Sequence, residues 1–205
     1  MKELEAIQKL TDSFSLFPSV GFKSAERMAY ALLDMSQDEV KLLLKNIEEV
    51  KTKIHPCPVC GLLTEDEKCS ICSSEDRDHS TCIVLASPKD VLSFEKLGTY
   101  NGVYHILGGL ISPSKNIGPE SLKIDELIAR IDKEHIEELI IATNGTPEGE
   151  ITALYLARIL SNKNVKITRI GYGMPIGASF EYIDPLTIEK ALKSRTNINS
   201  KKEKY

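Results

Sequence analysis

No apolar run in this 205-residue chain approaches the roughly 20 residues that a membrane-spanning helix requires, so no membrane partner is expected. The first stretch, Met1-Lys2-Glu3-Leu4-Glu5, carries charges of both signs and lacks the apolar core of a secretory signal; a cytoplasmic location is expected. An excess of positive charge is missing too. The formal charge is −4, which argues against a surface coated in cations for wrapping nucleic acid while leaving room for a local basic patch. Lys190, Lys193, Arg195, Lys201, Lys202 and Lys204, opposed by Glu189 and Glu203, make the C-terminal end basic, which is read first as a frayed, solvated terminus. What is present is a composition that is 41% hydrophobic and a length that supports one or two compact domains with a small insert.

Cysteines are few, five in all, and four of them are arranged in pairs. Cys57-Pro-Val-Cys60 and Cys69-Ser-Ile-Cys72 are separated by eight residues, a spacing that lets two tight turns face one tetrahedral ion. Reduced thiols are the rule in a cytoplasm, so metal binding is favoured over two disulfides. Four thiolates close the coordination shell and leave no place for water or substrate, so the expected ion is a single zinc per chain that supports folding, not catalysis. Gly61 suits the turn after the first pair. His55 and His79 are read as flanking residues, and Cys82, which opens the run Cys82-Ile83-Val84-Leu85-Ala86, as a buried core thiol.

Leu4, Ile7, Leu10 and Phe14 recur at helical spacing within residues 1–16, and Val40, Leu43, Leu44 and Ile47 repeat the pattern, predicting amphipathic helices. Between them, Pro18 stops the first helix, Gly21 permits a tight turn and Ser24 is expected to cap a second helix that carries Arg27. This segment resembles a helix-hairpin-helix motif, which offers the N–H groups of a helix N-terminus to a DNA phosphate and reads charge and shape instead of bases. Lys23 and Arg27 stand where they would add phosphate contacts. The motif usually has glycine where Ser19 stands, and a plain packing unit with two exposed cations fits the same residues. The Lys23-Ser24 pair lacks the leading glycine and preceding strand of a nucleotide-binding P-loop.

After the cysteines the pattern alternates. Strands are expected at Cys82–Ala86, Val103–Leu107, Glu138–Ala142 and Val165–Ile170, and helices at Pro88–Leu97, Ser121–Ile131 and Gly149–Leu160, which implies a parallel sheet covered by helices. Function in such sheets gathers at the strand C-termini, where the segments 86–90, 108–110 and 142–150 should meet. The last of these resembles the second signature of a Toprim domain, an Asp-x-Asp pair followed by Glu-Gly-Glu. Here Asn144 and Thr146 occupy the aspartate positions, and Ala86 stands where a catalytic glutamate would end the first strand. Neutral side chains cannot supply the anionic oxygens that hold magnesium, so phosphodiester chemistry is expected to be absent, with Asp90, Glu148 and Glu150 left as an acidic rim. A helix N-terminus favoured by nearby acids accounts for Glu148 and Glu150 as well.

The order helix-hairpin-helix, four-cysteine module, degenerate Toprim domain makes residues 1–195 resemble the RecR family of bacterial recombination mediators. The likeness is carried by residues 17–25, 87–91, 104–109 and 172–177, the last being Tyr172-Gly173-Met174-Pro175-Ile176-Gly177. The expected fold is a multi-part α+β chain: a helical region over residues 1–54, a four-cysteine zinc finger over 55–79, a Toprim α/β domain over 80–171, and a C-terminal extension with a basic tail over 172–205. The resemblance implies a non-enzymatic DNA-binding protein that works with RecO and often RecF to load RecA onto DNA coated by single-strand-binding protein. It also implies a homo-oligomer, from dimer to ring tetramer, that dimerises through the N-terminal region and exchanges the segment after Tyr172. By position, Lys23 and Arg27 would contact DNA and Glu148 would meet RecO. Two alternatives compete: a magnesium-dependent nuclease or primase-like enzyme using Asp90, Glu148 and Glu150, and a zinc-braced adaptor that never touches DNA.

Overall fold

Apolar residues at i and i+4 shape the first part of the chain. In the computed structural model, α1 (Glu5–Ser15) buries Ile7 and Thr11, and α2 (Phe22–Asp34) buries Ala25 and Ala29; the two helices pack on each other, the alanines permitting close approach. Residues 4–171 and 173–195 are described; Tyr172 and the tail lysines Lys201, Lys202 and Lys204 lie outside them. The chain divides into two compact units, Met1–His55 and Pro56–Tyr205.

The connection between α1 and α2 is a tight turn in which the Val20 amide donates to the Phe17 carbonyl at 3.1 Å. Pro18 takes the second position, where its fixed φ fits, and Ser19 takes the third with φ 65°, the left-handed geometry that a type II turn demands and that glycine meets without strain. Ser24 does not cap α2 as expected. Gly21 is the N-cap, in extended conformation and without a side-chain cap, because the helix begins at Phe22 and Ser24 already lies inside its first turn. Ser36 does cap α3 (Gln37–Lys53): its hydroxyl accepts from the Glu39 amide while Glu39 Oε2 accepts from the Ser36 amide at 2.7 Å, a reciprocal capping box. No residue of α3 is buried, and Leu42, Leu44, Ile47 and Val50 are all more than half exposed.

The chain then forms a two-stranded ribbon, β1 (His55–Pro56) and β2 (Leu63–Thr64), and the short α4 (Ser70–Ser73). It continues as β3 (Asp78–Leu85), α5 (Pro88–Glu95), β4 (Gly102–Ile106), α6 (Ile124–Glu134), β5 (Glu138–Ile141), α7 (Pro147–Ile159), β6 (Lys166–Arg169) and α8 (Pro185–Lys193). The four long strands form a parallel sheet in the order β4-β3-β5-β6. Ile83 on β3 faces Tyr104 on one side and Ile140 on the other. Near-continuous apolar strands such as Cys82-Ile83-Val84-Leu85 are what a sheet buried on both faces requires, and all four of those residues are buried. The chain reverses its direction of travel across the sheet between β3 and β5, which places the switch point at their C-terminal ends.

Helix α7 starts at Pro147, two residues before the expected Gly149. Thr146 followed by proline is a start signal in its own right, and Thr146 Oγ1 accepts from the Gly149 amide at 3.2 Å. The zinc-spacing cysteines do not form a body of their own. Cys57, Cys60, Cys69 and Ile71 share one hydrophobic core with Ile83, Val103, Tyr104 and Leu127.

The left-handed serine gives a direct expectation. Ser19→Gly removes the β-carbon penalty and should raise the stability of the N-terminal unit by about 1 kcal/mol, read as a higher urea midpoint; a midpoint unchanged or lowered would show that the turn is not strained.

Candidate zinc module and sheet-edge site

Two turns bring the four thiols together. In the first, the Cys57 amide donates to the Leu62 carbonyl at 2.7 Å and the Gly61 amide to the Cys57 carbonyl at 2.9 Å, with Gly61 at φ 78°. A side chain there would also meet the Ile106 carbonyl at 3.0 Å, so glycine answers both a backbone and a packing demand. In the second, Cys69 is the N-cap of α4 and its sulfur accepts from the Cys72 amide. The ligand atoms of Cys57, Cys60, Cys69 and Cys72 all lie within 4.8 Å of one another.

Backbone N–H groups already point at the sulfurs: Leu62 to Cys60 at 3.4 Å, Cys69 to Cys57 at 3.5 Å and Cys72 to Cys69 at 3.4 Å. Contacts with Cys60 and Cys69, together with burial, hold the Cys72 thiol far above its ordinary pKa. Four thiolates so crowded coexist only around a cation, and an all-sulfur tetrahedral set suits zinc. Among the described residues this is the one group of three or more cysteine, histidine or carboxylate side chains placed to hold a metal. His79 is occupied otherwise, its Nε2 lying 2.9 Å from the Ser74 carbonyl. Cys82 is fully buried in the core, where desolvation pushes its thiol up to about 12.

The module is stitched to the sheet. Strand β4 is an edge, and the Ile106 amide, on its open side, donates to the Cys60 carbonyl at 2.7 Å. An exposed strand edge is thereby closed by the metal-binding turn.

At the C-terminal end of the sheet, Ala86, Ser87, Pro88, Gly108, Gly109, Leu110, Lys115 and Glu148 are among the residues lining an open depression of about 420 Å³. The expected loops therefore do meet. Their chemistry is not that of a metal cage. Ala86 contributes a methyl group, the Thr146 hydroxyl is spent on capping α7, and the Asn144 carbonyl would come within 1.9 Å of a β-carbon at Gly149. The last distance shows what the glycine of Glu-Gly-Glu does here: it lets the loop lie flat on the first turn of α7.

The expected acidic rim is dispersed. Glu150 is bound on both oxygens, by Arg169 of β6 and by Lys190 of α8, each at 2.5 Å. Asp90, in the first turn of α5, keeps one carboxylate oxygen buried without a hydrogen-bond partner. Glu148 lines the depression and has no ion-pair partner among the described residues. Sequence reading missed Lys190 and Arg169 as partners of Glu150, because the Lys190 contact spans 40 positions and no local pattern announces it. In the N-terminal unit, Lys23 and Arg27 are exposed and four residues apart on α2, so they share one helix face. Neither has an ion-pair partner among the described residues.

Comparison with known proteins matches four consecutive segments of this chain. A family model described as "RecR, helix-hairpin-helix" matches residues 7–51, the model of the RecR four-cysteine zinc finger domain residues 54–74, "Toprim domain" residues 80–171 and "RecR, C-terminal" residues 173–196. Similar proteins include the recombination protein RecR of Lacticaseibacillus casei (strain BL23), 41% identical over 97% of this chain and 100% of the relative. The RecR of Ligilactobacillus salivarius (strain UCC118) is 42% identical over the same shares, and that of Lactobacillus johnsonii (strain CNCM I-12250 / La1 / NCC 533) is 40% identical over 94% and 97%. The match to a four-cysteine zinc finger and the clustered thiols agree on one structural zinc.

Two outcomes follow from the geometry. Cys60→Ser opens the metal shell and forfeits metal-linked folding energy, so the protein should be poorly soluble and purify without stoichiometric zinc; a well-folded, metal-free mutant would contradict this. A double-mutant cycle on Glu150→Gln and Lys190→Gln should give a coupling of about 1 kcal/mol in urea unfolding, whereas additive effects would mean that the pair contributes nothing.

Proposed function

Because the chain belongs to the RecR family of recombination proteins, we propose that it is a non-enzymatic DNA-binding mediator of recombinational repair. In this reading it acts with RecO, and with RecF, to load RecA onto DNA covered by single-strand-binding protein. The observation that carries the DNA-binding part is the N-terminus of α2. No side chain caps it, a tight turn delivers the chain into it, and Lys23 and Arg27 stand on its first two turns. Open N–H groups beside two cations without ion-pair partners among the described residues form a phosphate site of the kind that reads backbone and not bases.

The non-enzymatic part is supported by Ala86, by the capping role of Thr146 and by the two cations on Glu150. A magnesium-dependent reading would have to use Glu150 against that pairing. Glu148, the acid of the rim that lines the depression, is proposed as the contact for RecO. Cys57, Cys60, Cys69 and Cys72 are proposed as the zinc ligands, within a division of the chain at residues 1–54, 55–79, 80–171 and 172–205.

Oligomerisation is supported by what the N-terminal unit fails to bury. Ile7, Ala25 and Ala29 are its buried apolar residues among those described, and full burial of one isoleucine contributes only about 1.5–3 kcal/mol. With α3 exposing five large apolar side chains, a second copy is the natural cover, and a ring of such pairs would collect its modest cationic patches around one channel.

The decisive measurement is DNA affinity against salt for Lys23→Ala and Arg27→Ala. Each should weaken binding and lower the slope of log affinity against log salt by about 1, with circular dichroism unchanged. An unchanged affinity and slope would remove α2 as the DNA face and leave a zinc-braced adaptor.

A further inference from the structure

A buried arginine packed on β4, the strand that also meets the cysteine turns, has one side of its guanidinium unsatisfied. Arg130, on α6, is 4% exposed. Its Nε donates to Glu134 Oε2 at 2.8 Å and its Nη1 to the Tyr104 carbonyl at 2.6 Å, whereas Nη2 is buried without a hydrogen-bond partner. A desolvated donor left without an acceptor is costly to keep buried. Glu134 is partly open to solvent, so its charge is partly hydrated and does not fully answer the buried cation.

The surroundings of that arginine are sulfur-rich. Tyr104, which accepts its Nη1, is on β4, the strand against which α4 and its Cys72 pack. Two residues further along the same strand, Ile106 holds the Cys60 carbonyl. Cys82 and Cys72 are near enough to act on it electrostatically, and its pKa is raised although burial alone would lower it. A second cation lies near the first cysteine turn: the Lys123 ammonium is 3.3 Å from the point where a β-carbon on Gly61, next to Cys60, would fall.

Four thiolates around a divalent ion leave about two negative charges in excess. Cys57, Cys60 and Cys69 are at most 2% exposed, so water does little to compensate, and amide-to-sulfur bonds supply only partial charges. We propose that Arg130 and Lys123 are the counter-cations of the zinc–thiolate centre, positioning residues that couple metal retention to the docking of the module on α6 and β4. This goes beyond ligand identity: it assigns a task to two residues outside the zinc-finger segment, one of them on a helix of the α/β domain.

The test uses the full chain carrying Arg130→Met, Arg130→Lys or Lys123→Met. Zinc retention is measured by competition with a chromogenic chelator, and the cobalt-substituted protein is examined for the energy of its thiolate-to-cobalt charge-transfer band. Arg130→Met should weaken metal affinity by about 10–100-fold and shift the band to lower energy, since a lost cation raises the sulfur donor levels. Arg130→Lys, which keeps the charge and loses the fork, should stay close to wild type in both. Lys123→Met should weaken affinity less and shift the band in the same direction. Equal retention and band energy in Arg130→Met and wild type would overturn the proposal. So would Arg130→Lys failing as badly as Arg130→Met, which would assign the residue to packing and to its bonds with Tyr104 and Glu134. Should Arg130→Met fail to fold, Lys123→Met decides: a shifted band supports the proposal and an unshifted one overturns it.

Discussion

The hydrogen bond from the Ile106 amide to the Cys60 carbonyl joins two pieces of chain that neither could hold alone. On one side is a parallel sheet whose β4 edge would otherwise present unpaired amides to any passing strand. On the other is a stretch with a two-residue ribbon and a four-residue helix, too short to be stable without a metal. A bound zinc would fix the turn whose Cys60 carbonyl accepts from the Ile106 amide at the sheet edge. The thiols then become part of the α/β core instead of a separate finger. A zinc module built this way need not grip anything; its work is done inward, on the sheet.

The C-terminal end of that sheet has the outline of a site without side chains placed to hold a metal among the described residues. Loops still converge on a depression of about 420 Å³, because convergence is dictated by strand order. Magnesium binding depends on something else, several anionic oxygens converging on one point. Here Ala86 offers a methyl group, the Thr146 hydroxyl caps α7, and Glu150 is held by cations from β6 and α8. The retained carboxylate thus fastens the C-terminal helix to the domain. A glutamate in a familiar motif is therefore weak testimony for catalysis until its partners are known.

Legibility from sequence followed the range of the interactions. The four cysteines, the parallel alternation and the Ser19 anomaly were readable because each is a local spacing or a demand on a single φ. Ser19 is the sharpest case: the motif's missing glycine appears in the structure as a serine at φ 65°. Boundaries were less secure. Serine favours an N-cap, but Gly21, delivered by the turn, takes that place from Ser24; Thr146-Pro147 is a stronger start signal than Gly149. The pairing of Glu150 with Lys190 and the cations near the thiols were not readable at all, since they join residues brought close only by the sheet.

The division of labour between the two units follows from where the apolar area goes. The α/β unit buries its central strands, most of its thiols and the inner faces of its helices. The N-terminal unit buries three apolar side chains among those described and leaves α3 bare. On the proposed reading the same unit must both assemble and bind phosphate. A hairpin with so small a core keeps its N–H groups and its two cations in register only if something else holds α2 and α3, and the area on α3 is where that support would come from. Assembly and DNA binding are then not independent properties. The net acidity of the chain ceases to be an objection, because affinity would arise from several weak patches ordered by association, each too slight to act in an isolated copy.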